Sequence, residues 1–262
     1  MKTGMFKNGI SYFGFRVIAM VTMVIDHLAA IVFSSMDLSD TMRHYLVTIP
    51  RYIGRLSMPV FAFFVAEGVL RTHNIKKYLF RLFVLSLIAE VPHDLANYGV
   101  VLEFKSQNTV FSLLAGALFC VLYEKLKSQN TAKRYILLTA GISLGSALCE
   151  LLNLEYQFFT PLLILVIYIF NDDYLKMFYA SAISFFTIYP LRSYLTALKY
   201  GKSVSLLGML NNVMLEALGL ISLYLIACYY NRNKGRNIPK ILSYSFYPLQ
   251  FLLIYLIKIL VV

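Results

Sequence analysis

The sequence predicts an all-α chain, a polytopic integral-membrane helical bundle of about nine spanning helices. Two compositional facts and one pattern point there. Of the 262 residues, 59% are hydrophobic and only 14% charged, where a soluble domain carries about 25% charged residues. Mean hydropathy is +0.69. Apolar stretches able to cross roughly 30 Å of hydrocarbon follow one another with short polar breaks.

The first stretch, residues 16 to 35, is interrupted by Asp26 and His27 and is not closed by a small-residue cleavage pattern, so it reads as a retained helix. The second, 53 to 70, is entered past Arg51 and Arg55 and leaves through Glu67 and Arg71. The third, 78 to 97, carries Arg81, Glu90 and Pro92. The fourth and fifth, 108 to 124 and 135 to 152, are separated by Lys125, Lys127, Lys133 and Arg134. The sixth and seventh, 157 to 171 and 175 to 191, flank Asp172 and Asp173. The eighth, 204 to 230, contains Asn211, Asn212 and Glu216, and the ninth runs from 241 to 261. The longest polar break, 36 to 52, is too short for a domain of its own, so 1–262 is read as one helical domain.

The net charge of +11 would point to nucleic acid in a soluble protein. Here no basic stripe with stacking aromatics accompanies it, and nucleic-acid binding is excluded. The basic residues instead cluster in alternate breaks: Lys2, Lys7 and Arg16; Arg71, Lys76 and Lys77; the group after span four; and Arg232, Lys234, Arg236 and Lys240. The positive-inside rule then puts the N-terminus in the cytoplasm and the C-terminus outside. One break disagrees, because Arg192, Lys199 and Lys202 fall outside while Asp172 and Asp173 fall inside. Cys120, Cys149 and Cys228 lack metal-binding or disulfide spacing, and no metal site is expected.

Ionisable groups inside spans are costly and normally face a bundle interior or a watery cavity. Asp26 and His27 sit near the middle of span one, too deep to snorkel, and form a candidate proton acceptor. The plainer reading is that Asp26 locks against an arginine of span two or three while His27 bonds a backbone carbonyl. Arg16 precedes His27 by eleven residues, which returns to nearly the same helix face about 16 Å away. It is equally a topology residue. Glu67 and Arg71 have ion-pair spacing. Glu90 precedes Pro92, whose ring breaks the helical ladder, making a candidate cavity wall with Arg81 nearer the mouth. Asn74 and Asn108 stand at helix starts, where asparagine caps. No phosphate-cradling glycine loop, His-Glu-x-x-His or Gly-x-Ser-x-Gly occurs.

Taken in order, Met23-Val24-Ile25-Asp26-His27, Gly54-Arg55-Leu56-Ser57-Met58-Pro59, Glu67-Gly68, Thr72-His73-Asn74, Glu90-Val91-Pro92, Asn108-Thr109-Val110-Phe111 and Phe246-Tyr247-Pro248-Leu249 resemble the TraX family of membrane proteins. Its founding member is associated with N-terminal acetylation of conjugative pilin. Two positions depart from the pattern: Gln250 stands where the family usually has His after Tyr-Pro-Leu, and Glu155-Tyr156-Gln157 replaces Asp-Tyr-Gly. Arg16 and His27 are also spaced as in the wider group of transmembrane acyltransferases.

The resemblance implies transfer of an acetyl or other acyl group from cytoplasmic acyl-CoA to an amine or hydroxyl acceptor, in a bacterial cytoplasmic membrane. His27 is then the base or a transient acyl carrier, oriented by Asp26. Arg16, Arg55 and Arg81 are the expected acetyl-CoA contacts, and Glu67, Glu90, Asn108 and Tyr247 the expected acceptor contacts. A pilin N-terminus, a glycan, a lipid or a small amine all fit as acceptor, and membrane lipids surround the chain. Two other classes compete. A proton-coupled secondary transporter would use Asp26, His27, Glu67 and Glu90 as a relay, and a noncatalytic membrane assembly factor would use the buried polar groups only for helix packing.

Overall fold

The computed structural model describes residues 9–201, 203, 205–237 and 239–261. Lys2, Lys7 and Lys202 lie outside the described residues, as does the side chain of Lys240.

Short polar residues open the helices as the sequence demands. Helix α1 (Tyr12–His27) starts at Ser11, whose hydroxyl accepts from the Gly14 N–H at 3.2 Å. It widens immediately after His27 into a π-helical turn, Leu28–Val32, and tightens into a last turn at Phe33–Ser35. The return span is segmented: α2 (Asp40–Arg43), a second π-helical turn at His44–Thr48, α3 (Ile49–Gly54) and α4 (Ser57–Arg71). Asn74 caps α5 (Ile75–Tyr98), accepting from Lys77 N–H at 2.9 Å, and Gly99 closes it at φ 72. Asn108 caps α6 (Thr109–Leu126), and Asn130 caps α7 (Thr131–Leu151). Then come α8 (Phe159–Ile169), α9 (Tyr174–Lys199), α10 (Leu206–Ala217), α11 (Leu220–Tyr229) and α12 (Lys240–Val261).

Six helical stretches among the described residues are long and apolar enough to cross a membrane: Tyr12–Ser35, Asp40–Arg71, Thr109–Leu126, Thr131–Leu151, Leu206–Tyr229 and Ile241–Val261. The other three of the nine expected stretches are helical but different in kind. Helix α5 carries Lys76, Lys77, Arg81, Glu90 and Asp94. Helix α8 has 11 residues, short of the 20 or so a crossing needs. Helix α9 runs through Pro190 to Lys199, well past the expected end.

Apolar side chains cover outer faces of the bundle as well as its core. Helix α7 buries only Cys149, while Tyr135, Ile136, Leu144 and Leu151 face outward as a lipid-facing wall would. Helix α8 is the converse: Phe159, Leu163, Ile164 and Ile167 are wholly buried, and it forms the axis against which α4, α6 and α9 pack. Helix α12 lies along α5, with Phe251 and Ile254 buried beside Ile31, Val32 and Ala96.

The bundle has two distinct ends. At one, Tyr12 N–H reaches the Asn233 carbonyl at 2.8 Å, Arg16 reaches Ser243 at 2.7 Å, and Arg232 reaches Tyr174 at 2.6 Å. Arg71 joins this end. At the other, Lys258 donates to the Ala96 carbonyl at 3.2 Å, and Lys199 to the Glu150 carbonyl at 3.0 Å. The basic residues that broke the charge alternation are accounted for here: Arg192 donates to Gln157 at 2.7 Å, and Lys199 binds carbonyl oxygen at the end of α7. Lys199 thus satisfies an orphan carbonyl at a helix C-terminus, while Arg192 serves the side chain of Gln157.

The joint between α3 and α4 sets the position of α1. A Cβ added at Gly54 would fall on the Asp26 side chain, so only glycine allows this approach. Gly54→Ala is expected to push α1 and α3 apart and lower the melting temperature in detergent by several degrees; an unchanged melt would show the joint to be slack.

Candidate functional site

Two cavities meet at the middle of the bundle. The larger, of about 480 Å³, runs from the basic end, where Arg16, Arg71, Lys234 and Arg236 line it, inward to Asp26 and His27. The smaller, of about 190 Å³, lies beyond them and is lined by Arg51, His93, Asn97 and Phe251. Asp26, His27, Glu155 and Tyr156 line both, and so form the wall between them.

Asp26 and His27 are neighbours in sequence but engage different partners. The Asp26 carboxylate meets Arg51 at 2.9 Å and Arg55 at 3.5 Å, the arginine lock that span spacing allowed. No hydrogen bond joins it to His27 among the described residues. The His27 ring instead packs on Phe251, with centroids 4.6 Å apart, and its Nδ1 lies 3.3 Å from the Gln250 side-chain amide. The other amide atom of Gln250, Oε1, is buried without a partner. Turning the amide over, a change that preserves its shape, puts Oε1 against Nδ1–H and moves the amide NH2 into the partnerless position. The amide thus sets the tautomer: with its N–H toward the ring, Nδ1 accepts and the proton sits on Nε2, and with Oε1 toward the ring, Nδ1 carries the proton and Nε2 is free.

Arg55 is buried behind this wall. Its guanidinium meets Glu216 of α10 at 2.6 Å and the Tyr156 hydroxyl at 3.3 Å besides Asp26. It does not line either cavity, and its role is to hold α1, α4 and α10 together around Asp26.

Glu155 and Tyr156 arrive on a strained segment. Asn153, Tyr156 and Gln157 adopt φ of 51, 59 and 51, left-handed backbone that costs a non-glycine residue free energy. The surroundings over-determine it: Gln107 N–H donates to the Asn153 carbonyl at 3.0 Å, Thr109 bonds the Glu155 carboxylate, and Ser112 bonds the Glu155 carbonyl. Gln157 Oε1 accepts from Arg192 at 2.7 Å and Thr196 at 2.9 Å. This places a carboxylate and a phenol at the junction of the two cavities.

The remaining candidates divide into two groups. Glu67 and Tyr247 line the larger cavity, Glu67 paired with Arg71 one turn on and 3.5 Å from the Tyr230 hydroxyl. Arg81, Glu90 and Asn108 do not line either cavity. Asn108 caps α6 and donates its amide to the Ser86 carbonyl at 2.9 Å and to Glu90, so the Glu90–Asn108 pair fastens α6 to α5. Pro248 leaves the carbonyl one turn back, that of Tyr244, without its helical donor, and Tyr244 lines the larger cavity.

The TraX protein family model matches residues 14–258, nearly the whole chain. The chain belongs to the TraX family. It is also 30% identical over 146 residues to a probable fimbrial assembly protein, FimC of serogroup H1, from Dichelobacter nodosus. That match covers 53% of the chain and 56% of the relative, so the chain spans little more than half of that protein. No solved structure matches.

Membership gives two departures from the TraX pattern a structural setting. Gln157, where the resembled pattern has glycine, occupies a left-handed position at which glycine is the unstrained choice, and its side chain is held by Arg192 and Thr196. Gln250, where the resembled pattern has a histidine, faces His27. Reading the sequence missed Glu155, Tyr156, Arg51, His93, Lys234 and Arg236 as lining residues. The signal available for Glu155 was a carboxylate between two apolar stretches, and for Lys234 and Arg236 only their charge, which topology explains equally well.

Proposed function

We propose that this TraX-family membrane protein transfers an acyl group, most simply acetyl, from a CoA thioester in the larger cavity to an amine or hydroxyl that reaches His27 through the smaller one. The single observation that carries this reading is the shared wall: His27 faces both cavities, one of them entered through a cluster of cations. Among the described residues, Arg16, Lys234 and Arg236 form no salt bridge within the chain, which leaves them available to phosphate. From that mouth to His27 is about 16 Å along α1, a span suited to the extended pantetheine arm. The volume lies within the roughly 300–1,000 Å³ of ligand pockets.

In this mechanism the acceptor's N–H or O–H lies against His27 Nε2. As its lone pair attacks the thioester carbonyl carbon, Nε2 takes the proton, and the tetrahedral intermediate collapses with cleavage of the C–S bond. The departing CoA thiolate takes the proton from the imidazolium, so the base is regenerated. Gln250, turned with its Oε1 toward the ring, keeps Nδ1 protonated and Nε2 free. Arg51 and Arg55, the latter steadied by the Tyr156 hydroxyl, fix the Asp26 carboxylate behind the reacting atoms, and the walls keep bulk water from the thioester.

The acceptor in this reading is the amino terminus of a pilin-like subunit, supported by the association of the TraX founding member with pilin acetylation and by the name of the fimbrial relative. Titration of acetyl-CoA into the purified protein tests the donor half. Saturable binding is expected, weakened about tenfold or more in the Arg16→Ala, Arg236→Ala double variant and falling as salt rises. A folded wild-type protein that binds no acetyl-CoA overturns acyl transfer and favours proton-coupled transport, for which vesicle uptake is the assay.

A further inference from the structure

Glu90, His93 and Asp94 present their side chains from one arc of α5. Offsets of three and four residues place them within about 100° of one another around the helix axis. One carboxylate oxygen from each acid and a ring nitrogen of His93 lie within 4.8 Å of one another. All three residues are buried, Asp94 completely.

The charge here is unbalanced. Among the described residues neither Glu90 nor Asp94 forms an ion pair with a lysine or arginine. Lys105, in the adjoining loop, is taken by Glu103 at 3.2 Å, and that contact holds the Glu103 carboxyl below the usual carboxylate range. Lys258 donates to the Ala96 carbonyl. The neutral donors do not exhaust the acceptors either. Asp94 takes the Glu103 N–H at 2.7 Å and faces His93 Nδ1 at 3.2 Å, and Asn108 takes one oxygen of Glu90. The other oxygen, Glu90 Oε1, is buried with no partner, although the residue is 7% exposed. A buried carboxylate oxygen without a donor calls for an ion or a water.

We propose that Glu90, His93 and Asp94 bind a divalent metal ion of the Zn²⁺ or Mn²⁺ class on α5. Two carboxylates and an imidazole form a hard-to-borderline donor set that suits these ions, and Glu-x-x-His is a spacing by which a single helix supplies ligands. The ion neutralises the two buried acids and takes up the unpaired oxygen of Glu90. Of the three ligands His93 lines the smaller cavity, the source of water to complete the coordination. Through Asp94 and Asn108 it ties α5 to the loop before α6. This site stands independently of acyl transfer, because it is read from charge and donor geometry alone.

The test is elemental analysis of the tag-free, full-length protein in detergent after chelator treatment and dialysis against Zn²⁺ or Mn²⁺. One ion per chain is expected, with a raised melting temperature, and loss of the ion in His93→Ala and in Glu90→Gln. Substitution with Co²⁺ in the wild type, which needs no variant to fold, is expected to give visible ligand-field bands of nitrogen and oxygen coordination. Folded wild type that retains no stoichiometric ion, or an ion that survives both substitutions, overturns the proposal.

Discussion

Replacing His27 with Ala is expected to lower acyl transfer by about 10²- to 10⁴-fold, the range a positioned general base contributes, while acetyl-CoA binding is little changed. The separation follows from where the ring sits. The cationic mouth of Arg16, Lys234 and Arg236 lies at the far end of the larger cavity, so deleting the imidazole removes no phosphate contact. The substitution also leaves the Asp26 pairs with Arg51 and Arg55 intact, and the fold with them. Single-turnover transfer to a peptide amine, measured beside acetyl-CoA titration on the same preparation, checks both halves. Equal losses of binding and transfer would instead make His27 part of the donor site. Gln250→Leu separates the roles further: the donor still binds, but with the Nδ1 proton unheld the ring loses its preferred tautomer, and transfer is expected to fall about tenfold or more.

The sequence carries the helix positions well because lipid imposes a length on each apolar run, and because Ser11, Asn74, Asn108 and Asn130 mark helix starts chemically. It also places Asp26 and His27 well inside the first apolar stretch, Tyr12–Ser35. It does not carry partnership. Asp26 and His27 are adjacent in the chain, yet successive helical residues point about 100° apart, and each finds its partner on another helix. Arg55 and Arg81 look alike as basic residues at the edges of apolar stretches, yet Arg55 is locked to Glu216, 161 positions away, and Arg81 lines neither cavity. The segment around Glu155 was the least legible. Its left-handed backbone is built by contacts with Gln107, Thr109 and Arg192, none of which is local. The π-helical turn after His27 likewise arises where α1 meets its neighbours, and such widened turns cluster at functional sites.

The same non-local network predicts the largest effect on stability. Arg55 is buried, with its side chain 6% exposed, and it faces two carboxylates that are themselves largely enclosed. Arg55→Met leaves Glu216 without a cation and Asp26 with Arg51 alone, and removing one member of a buried ion cluster costs about 3–5 kcal/mol. Arg55→Lys is not a conservative exchange, because one ammonium cannot reproduce a planar fork that meets Asp26, Glu216 and Tyr156 together. Both variants are expected to yield little folded protein in detergent. The decisive comparison adds Asp26→Asn and Glu216→Gln to Arg55→Met: once the stranded charges are neutral, folded yield and melting temperature are expected to recover in large part. Recovery identifies uncompensated charge as the cause of the loss. A triple variant as unstable as Arg55→Met alone would show that the guanidinium's packing against α3 and α10, and not its charge, holds the wall around His27 in place.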